Sequence, residues 1–261
     1  MLYDNHVHTE FSADSEMKAQ EALEAAARGG MGLVFTEHLD IDYPGDMEFT
    51  FDPKAYWETY APLRSANLRL GIEIGMQEGA EEANRQFSLS VPFDMVIGSI
   101  HLLEGKDIYY RVFYKERSQQ EVYSKYLLTM ADMLRTHSFV DVLGHIDYIS
   151  RYAPYDMPGI SYVDFHDEID QVLHMALETD TVLELNTRRL SNRAVLDELY
   201  PIYKRYYELG GRYVSIGSDA HKPEAVGSAF LVALDFADCC GFTPVTFVER
   251  KMVRAVADSS I

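Results

Sequence analysis

Short apolar runs recur along the whole chain, and each ends on histidine or a carboxylate. Leu2–Tyr3 leads into Asp4-Asn5-His6-Val7-His8, Leu33-Val34-Phe35 into Thr36-Glu37-His38, and Leu70-Gly71-Ile72 into Glu73. Further on, the run from Val96 to Ile100 delivers His101, Val142-Leu143-Gly144 delivers His145, and the run from Val214 to Ser218 delivers Asp219-Ala220-His221. Amphipathic segments of helical period separate these runs. Ser15 is placed to cap a helix over 16–28, stopped by Gly29-Gly30, and Pro53 opens another over 53–63. Further helices are expected over 80–89, 119–137, 163–179, 193–209 and 226–240. With Val182-Leu183-Glu184-Leu185-Asn186 the chain holds seven strand candidates, and Thr243 to Phe247 offers a closing element. Strand alternating with helix predicts an α/β fold with a parallel sheet closed into a TIM-like barrel, one strand short of the common eight-stranded form. In such a barrel the strand ends meet at one C-terminal mouth, so these histidines and carboxylates converge there.

Composition narrows the setting. A chain of 261 residues with 47% hydrophobic content can bury one large core, so a single domain over 1–261 is expected. No apolar stretch approaches the roughly 20 residues that span a bilayer, and the N-terminus enters a strand at once, which reads as soluble and cytoplasmic. Cys239 and Cys240 are adjacent, give no zinc-type spacing and suit no structural disulfide; they are expected as buried free thiols in a reducing compartment. A formal charge of −19 argues against a nucleic-acid groove or an anionic membrane surface as partner. An anionic substrate must then be drawn in by a local field. Two segments, 39–52 and 102–118, follow strand ends and are expected as loops at the mouth.

Residues two apart on a strand share a face, so His6 with His8, and Asp219 with His221, can each grip one cation. Six of the nine histidines end strands, a placement that core packing does not call for; His137, His166 and His174 fall on helices. These motifs resemble the polymerase and histidinol phosphatase (PHP) superfamily of metal-dependent phosphoesterases over nearly the whole chain. The resemblance rests on His6-Val7-His8 with Asp14 following, Thr36-Glu37-His38, Glu73, Gly98-Ser99-Ile100-His101, Gly144-His145-Ile146-Asp147 and Gly217-Ser218-Asp219-Ala220-His221. It implies a distorted (β/α)7 barrel carrying three divalent metal ions. His6, His8, Glu73 and Asp219 would hold one, Glu73, His101 and His145 a second, and Asp14, His38 and His221 the third, with Glu73 bridging the first two. Glu73, Asp219 and His221 are the ligands expected at the centre of catalysis. Imidazoles and carboxylates without thiolate suit zinc, iron or manganese. Ser12-Ala13-Asp14-Ser15 also looks like a helix start, where Asp14 or Ser15 would cap. Glu37, Asp40 and Asp147 are placed to orient metal-binding imidazoles from behind, or to be solvated acids of the mouth, and Asp4 to end its strand.

Two cations about 3.5–4 Å apart can share a hydroxide and aim it in line at phosphorus, which needs no protein nucleophile. Consistent with that, the chain has no phosphatase cysteine loop, no P-loop lysine and no nucleophilic-serine elbow. The expected reaction is hydrolysis of a phosphate monoester. The segments Glu184-Leu185-Asn186-Thr187-Arg188-Arg189, Gly144-His145-Ile146-Asp147 with Arg151, and Phe247-Val248-Glu249-Arg250-Lys251 are similar to the histidinol-phosphate phosphatase branch. That similarity implies L-histidinol phosphate as substrate, an acidic mouth helping to hold its ammonium and imidazole. One of Arg189, Arg151, Arg188 or Arg117 would complete the phosphate site through a bidentate guanidinium. The branch usually follows Asn-Thr with a small residue and glycine, whereas Arg188 follows Thr187 here, leaving open which arginine points inward. A second reading is a PHP phosphoesterase for nucleotides or oligonucleotide ends. Only Tyr109, Tyr110, Arg111, Tyr114, Lys115 and Arg117 hint at the basic aromatic groove this would require. A metal-binding protein without turnover would need a gap among the ligands, and none is visible.

Overall fold

Largely apolar strands buried on both faces, with amphipathic segments between them, place the strands side by side and the helices outside them. The structure, a computed structural model, describes residues 1–255; positions 256–261 of the expected domain lie outside the described residues. In chain order the elements are β1 (Tyr3–Val7), α1 (Ala19–Gly29), β2 (Gly32–Leu39), α2 (Pro53–Tyr60), β3 (Leu68–Gly75), α3 (Glu81–Ser88) and β4 (Met95–Ser99). A small hairpin, β5 (Leu102–Leu103) and β6 (Lys106–Asp107), precedes α4 (Gln119–Thr136), β7 (Val142–Leu143), α5 (His166–Glu178) and β8 (Val182–Asn186). The chain continues through α6 (Arg193–Leu209), β9 (Tyr213–Gly217), α7 (Phe230–Cys240), β10 (Thr243–Val248) and β11 (Lys251–Arg254).

β1, β2, β3, β4, β7, β8 and β9 lie next to one another in that order, every pair parallel. Closure occurs at the mouth, where Val7 bridges Ala220, His8 N donates to Ala220 O at 2.9 Å and Asp219 N donates to His6 O at 2.8 Å. Lower down, β10 pairs in parallel with β9, and Asn5 Nδ2 spans the seam, donating to Ile216 O at 3.2 Å and Val245 O at 3.0 Å. The expected element at 243–247 is therefore a strand, but it wedges the base while β1 and β9 close the mouth. Its antiparallel continuation β11 and the turn between them cross the base, where Glu249 N and Arg250 N both donate to Asp94.

Two apolar clusters result. The larger lies between strands and helices; the smaller fills the barrel's base with Tyr3, Val34, Met95, Ile97, Val142, Val182, Val245 and Phe247. β1 does not alternate strictly: its register runs Asp4 opposite Leu33 and then Val7 opposite Phe35, one residue too many. This bulge switches the inward face from odd to even positions. Tyr3 points into the base, Val7 joins the outer core, and His6 and His8 point into the mouth.

Several element boundaries differ from the sequence expectation. Ser15 does not cap α1, because its hydroxyl donates to His8 O and His221 O and ties the loop across the closure; the helix starts only at Ala19. The α7 helix starts at Phe230 instead of 226, after Ala229 in the left-handed region (φ 54°). Cys240 is buried as a free thiol, but Cys239 is exposed, since adjacent helical residues project to different sides. No helix of the described residues is long and apolar enough to cross a membrane.

Candidate metal centre

All nine residues expected as ligands meet at the mouth. Glu73 Oε2 lies 3.2 Å from His6 Nε2 and 3.5 Å from His8 Nε2. Asp219 Oδ1 lies 3.5 Å from His8 Nε2 and 3.9 Å from His6 Nε2. The other oxygen of Glu73, Oε1, faces His145 Nε2 at 2.9 Å and His101 Nε2 at 3.4 Å. Glu73 thus offers one oxygen to each of two groups, and Oε2 also lies 2.9 Å from His38 Nδ1. Asp14 Oδ2 forms a third group with His221 Nε2 at 3.2 Å and His38 Nε2 at 3.6 Å. The His8 ring packs on both imidazoles of this third group, with centroids 4.1 Å from His38 and 4.3 Å from His221. Asp219 adopts a left-handed backbone (φ 57°), which turns the chain so that both its carboxylate and His221 face inward.

The donor set fits metal ions. His6 Nε2, His8 Nε2 and His101 Nε2 are buried without a well-formed hydrogen bond, and His38 Nδ1 and Glu73 Oε2, though 2.9 Å apart, are not aligned as donor and acceptor. An unsatisfied buried polar group costs about 1–3 kcal/mol, so a fold keeps several facing one another only where something binds them. Three groups, His6–His8–Glu73, His8–His38–His221 and His38–Glu73–His101, each bring their donor atoms within 4.8 Å of one another.

The far ring nitrogens are held from behind. His101 Nδ1 is 2.9 Å from Asp40 Oδ1, as expected for Asp40. Glu37 acts at one remove: Ser12 Oγ donates to its Oε2 at 2.6 Å and lies 3.1 Å from His8 Nδ1. Asp147 orients no histidine; it is drawn into a salt bridge with Arg189 at 2.6 Å. The residue that sequence reasoning missed is Glu184. Its Oε1 is 2.7 Å from His6 Nδ1, while its Oε2 accepts from His145 N at 2.8 Å and Asn186 Nδ2 at 3.1 Å. One fully buried carboxylate therefore braces ligands of two metal groups, and its sequence signal was an acid inside an otherwise apolar strand. Asp4 does more than end β1: Oδ1 accepts from Ser218 N at 2.8 Å and Oδ2 from Gly227 N at 2.9 Å, latching the segment that carries Asp219. Burial pushes its carboxyl up to about 6 despite these bonds.

A cavity of about 450 Å³ opens above the ligands. Arg151 and Arg188 line it; Arg189 and Arg117 do not. Arg151 is buried, donating to Asp219 Oδ2 at 2.5 Å and to Asn186 Oδ1 at 2.8 Å. Arg188 is 44% exposed, with Nη1 3.2 Å from Asp219 O. Arg189 turns away to Asp147 and Glu198 and lines a separate groove of about 840 Å³ on the flank. Arg117 pairs with Glu104 and covers the Phe113 ring. The correction has an electrostatic cause: each of the last two guanidiniums finds its carboxylate outside the mouth. Both expected mouth loops border the cavity, through Tyr43, Met47 and Phe49 from one and Asp107, Tyr109 and Tyr110 from the other.

A family profile described as PHP domain matches residues 4–188. The chain belongs to the PHP family. It is 46% identical over 255 residues to the probable histidinol-phosphatase of Clostridium acetobutylicum, spanning 98% of this chain and 100% of that one. It is 29% identical over 225 residues to the histidinol-phosphatase of Lactococcus lactis, covering 84% of this chain and 83% of the relative. Among solved structures, the histidinol phosphate phosphatase of Lactococcus lactis, complexed with zinc, L-histidinol and phosphate, superposes with a TM-score of 0.90 at 26% identity. That match covers 97% of this chain and 98% of the other. The PHP match ends before Asp219 and His221, and it is the closure of β9 on β1 that brings them to the other ligands.

Electrostatics at this PHP mouth favour charged carboxylates. Burial works to raise Glu73, but the charges of His6, His38 and His101 hold it well below the usual carboxylate range. Asp219 is likewise held down against burial, by Arg151 and His6. Burial, with His38 and His221 beside it, lowers His8, whereas Glu184 and Glu73 overcome burial and raise His6. Two anions among imidazoles, beneath a cavity bordered by guanidiniums, give a floor whose chemistry suits cations and a wall whose chemistry suits an anion.

Proposed function

We propose that the protein is a metal-dependent phosphomonoesterase that hydrolyses L-histidinol phosphate to L-histidinol and inorganic phosphate, the dephosphorylation step of histidine biosynthesis. The observation that carries the reading is the pairing of Glu73, one oxygen to each of two histidine groups, with Arg151 and Arg188 bordering the cavity that His101 and His145 open into. The full-length identity to histidinol-phosphatases and the fold shared with one solved with L-histidinol and phosphate support the substrate.

In this reading three divalent ions, zinc, iron or manganese, are held by His6, His8, Glu73 and Asp219, by Glu73, His101 and His145, and by Asp14, His38 and His221. When bound, such ions supply Lewis acidity, activating water at neutral pH and neutralising phosphoryl oxygens. The chain's own residues do the positioning. Glu73 would contribute an oxygen to each of two of these groups, and Asp219 and His221 bring the third group of residues alongside the first. Arg151, clamped by Asp219 and Asn186, presents a fixed guanidinium edge to phosphate oxygens, and the half-exposed Arg188 closes on the same anion. Arg189 and Arg117 have no part in it. A cytoplasmic location accords with a biosynthetic role.

The test is phosphate release from L-histidinol phosphate against nucleotides and sugar phosphates, with ion content quantified. Strong preference for histidinol phosphate, lost on chelation and restored by metal, is expected. Nucleotide preference would replace the substrate while keeping the metal site, and turnover unaffected by chelation would overturn the mechanism.

A further inference from the structure

Beyond the phosphate end, the cavity has a second chemical character. Two aromatic walls climb from the metal ligands to one carboxylate. On one side Tyr148 packs on His145 (centroids 4.8 Å), Tyr152 on Tyr148 (5.2 Å) and Tyr109 on Tyr152 (4.7 Å). On the other, Phe49 packs on His38 (5.6 Å) and Tyr43 on Phe49 (4.7 Å). They meet at Asp107, whose Oδ2 accepts from Tyr43 OH at 2.6 Å and whose Oδ1 accepts from Tyr109 N at 2.7 Å. The Tyr43–Asp107 bond also joins the two mouth loops. Of the acids lining this cavity, Asp14 and Asp219 face the histidines, whereas the Asp107 carboxylate accepts from Tyr43 and Tyr109. Tyr109 nevertheless remains 51% exposed, an apolar ring left open at a cavity rim.

A fixed carboxylate in a cavity lined by aromatic side chains is an arrangement that recognises an organic cation. We propose that Asp107, held by the Tyr43 hydroxyl and the Tyr109 backbone at the cavity these aromatics line, is the specificity determinant for the leaving alcohol and binds its ammonium group. The inference rests on the phosphomonoesterase reading of the same cavity. It makes the site bipolar: Arg151 and Arg188 take the anionic end of the substrate and Asp107 the cationic end, so a phosphomonoester without a positive nitrogen forfeits half of the recognition.

The experiment compares kcat/KM for O-phosphoethanolamine and ethyl phosphate in metal-loaded wild type and Asp107→Asn, with L-histidinol phosphate alongside. A charge-assisted hydrogen bond is worth about 10- to 100-fold, so the cationic-to-neutral ratio should fall by that factor in the variant, mostly through KM. A ratio within about twofold of wild type would overturn the assignment. Calorimetric titration of the wild type with L-histidinol and with its deaminated analogue, imidazolepropanol, tests the same point without a variant. About tenfold weaker binding of the analogue is expected, and equal affinity would refute an ammonium site. If L-histidinol phosphate proves a poor substrate, the substrate reading fails by itself, while the ethanolamine and ethyl pair still reports on Asp107.

Discussion

The base and the mouth of the barrel are lined by the same strands, equally buried, and built to opposite rules. At the base, inward positions carry Val34, Met95, Ile97, Val142 and Val182, which are worth about 1.5–3 kcal/mol each by leaving water. At the mouth, the same strands carry His38, Glu73, His101 and His145, every one at least nine-tenths buried, with polar atoms that no protein group satisfies. The first set stabilises the fold. The second detracts from it unless cations bind, because desolvated donors and acceptors are left facing one another. Burial therefore does not distinguish core from site in this barrel; the pairing of polar atoms does.

Substitutions on the two levels should separate these roles. The largest effect is expected for Glu73→Gln at the mouth: loss of activity by at least about 10³-fold, several kcal/mol of transition-state stabilisation, with loss of bound ions and an unchanged far-UV circular dichroism spectrum. Wild-type turnover in that variant would remove the bridging role. At the base, Ile97→Ala should lower unfolding free energy by about 2–5 kcal/mol in denaturant titration while the folded protein keeps its ions. Ion loss with stability retained would erase the contrast between the levels.

The two arginines sharpen the comparison further. Arg151→Ala should cost about 10²-fold in kcat/KM, because it removes charge-assisted bonds to both phosphate and Asp219. Arg189→Ala should instead cost about 1–3 kcal/mol of stability by leaving the buried Asp147 unpaired, with kcat/KM hardly changed. Exchanged outcomes would place Arg189 at the phosphate. For Glu184→Gln, which touches ligands without being one, ion affinity should fall by about 10–100-fold in a competition titration with a chelator. The smallest change is expected for Arg117→Ala, less than about 1 kcal/mol of stability and no effect on turnover, since its partner Glu104 is an exposed acid.

Much of this was legible in the chain. Parallel strands deliver their C-terminal residues to one pole, so the recurrence of histidine and carboxylate at strand ends located the mouth, and the resemblance to the PHP superfamily named the nine candidate ligands. Helix periods placed α4 and α6 within a residue or so at each end. Other features were not legible, and each depends on something that no local pattern carries. The bulge in β1 is invisible in the sequence, since His6 and His8 share a face whichever side of the sheet that is; only the register against β2 turns them inward and Val7 to the outer core. Which arginine faces phosphate depends on where the competing carboxylates lie in space, Asp219 inside the mouth and Asp147 outside it. Glu184 read as one acid in a strand until closure set His6 and His145 against its two oxygens. The Tyr43–Asp107 contact likewise joins loops 64 residues apart. Sequence by itself determined the strand order, the mouth and the ligand types, because alternation and strand direction are local properties of a chain. Tertiary structure alone decided the pairing of charges, because the closure of β9 on β1 and the register along the sheet set distances that local propensities do not encode.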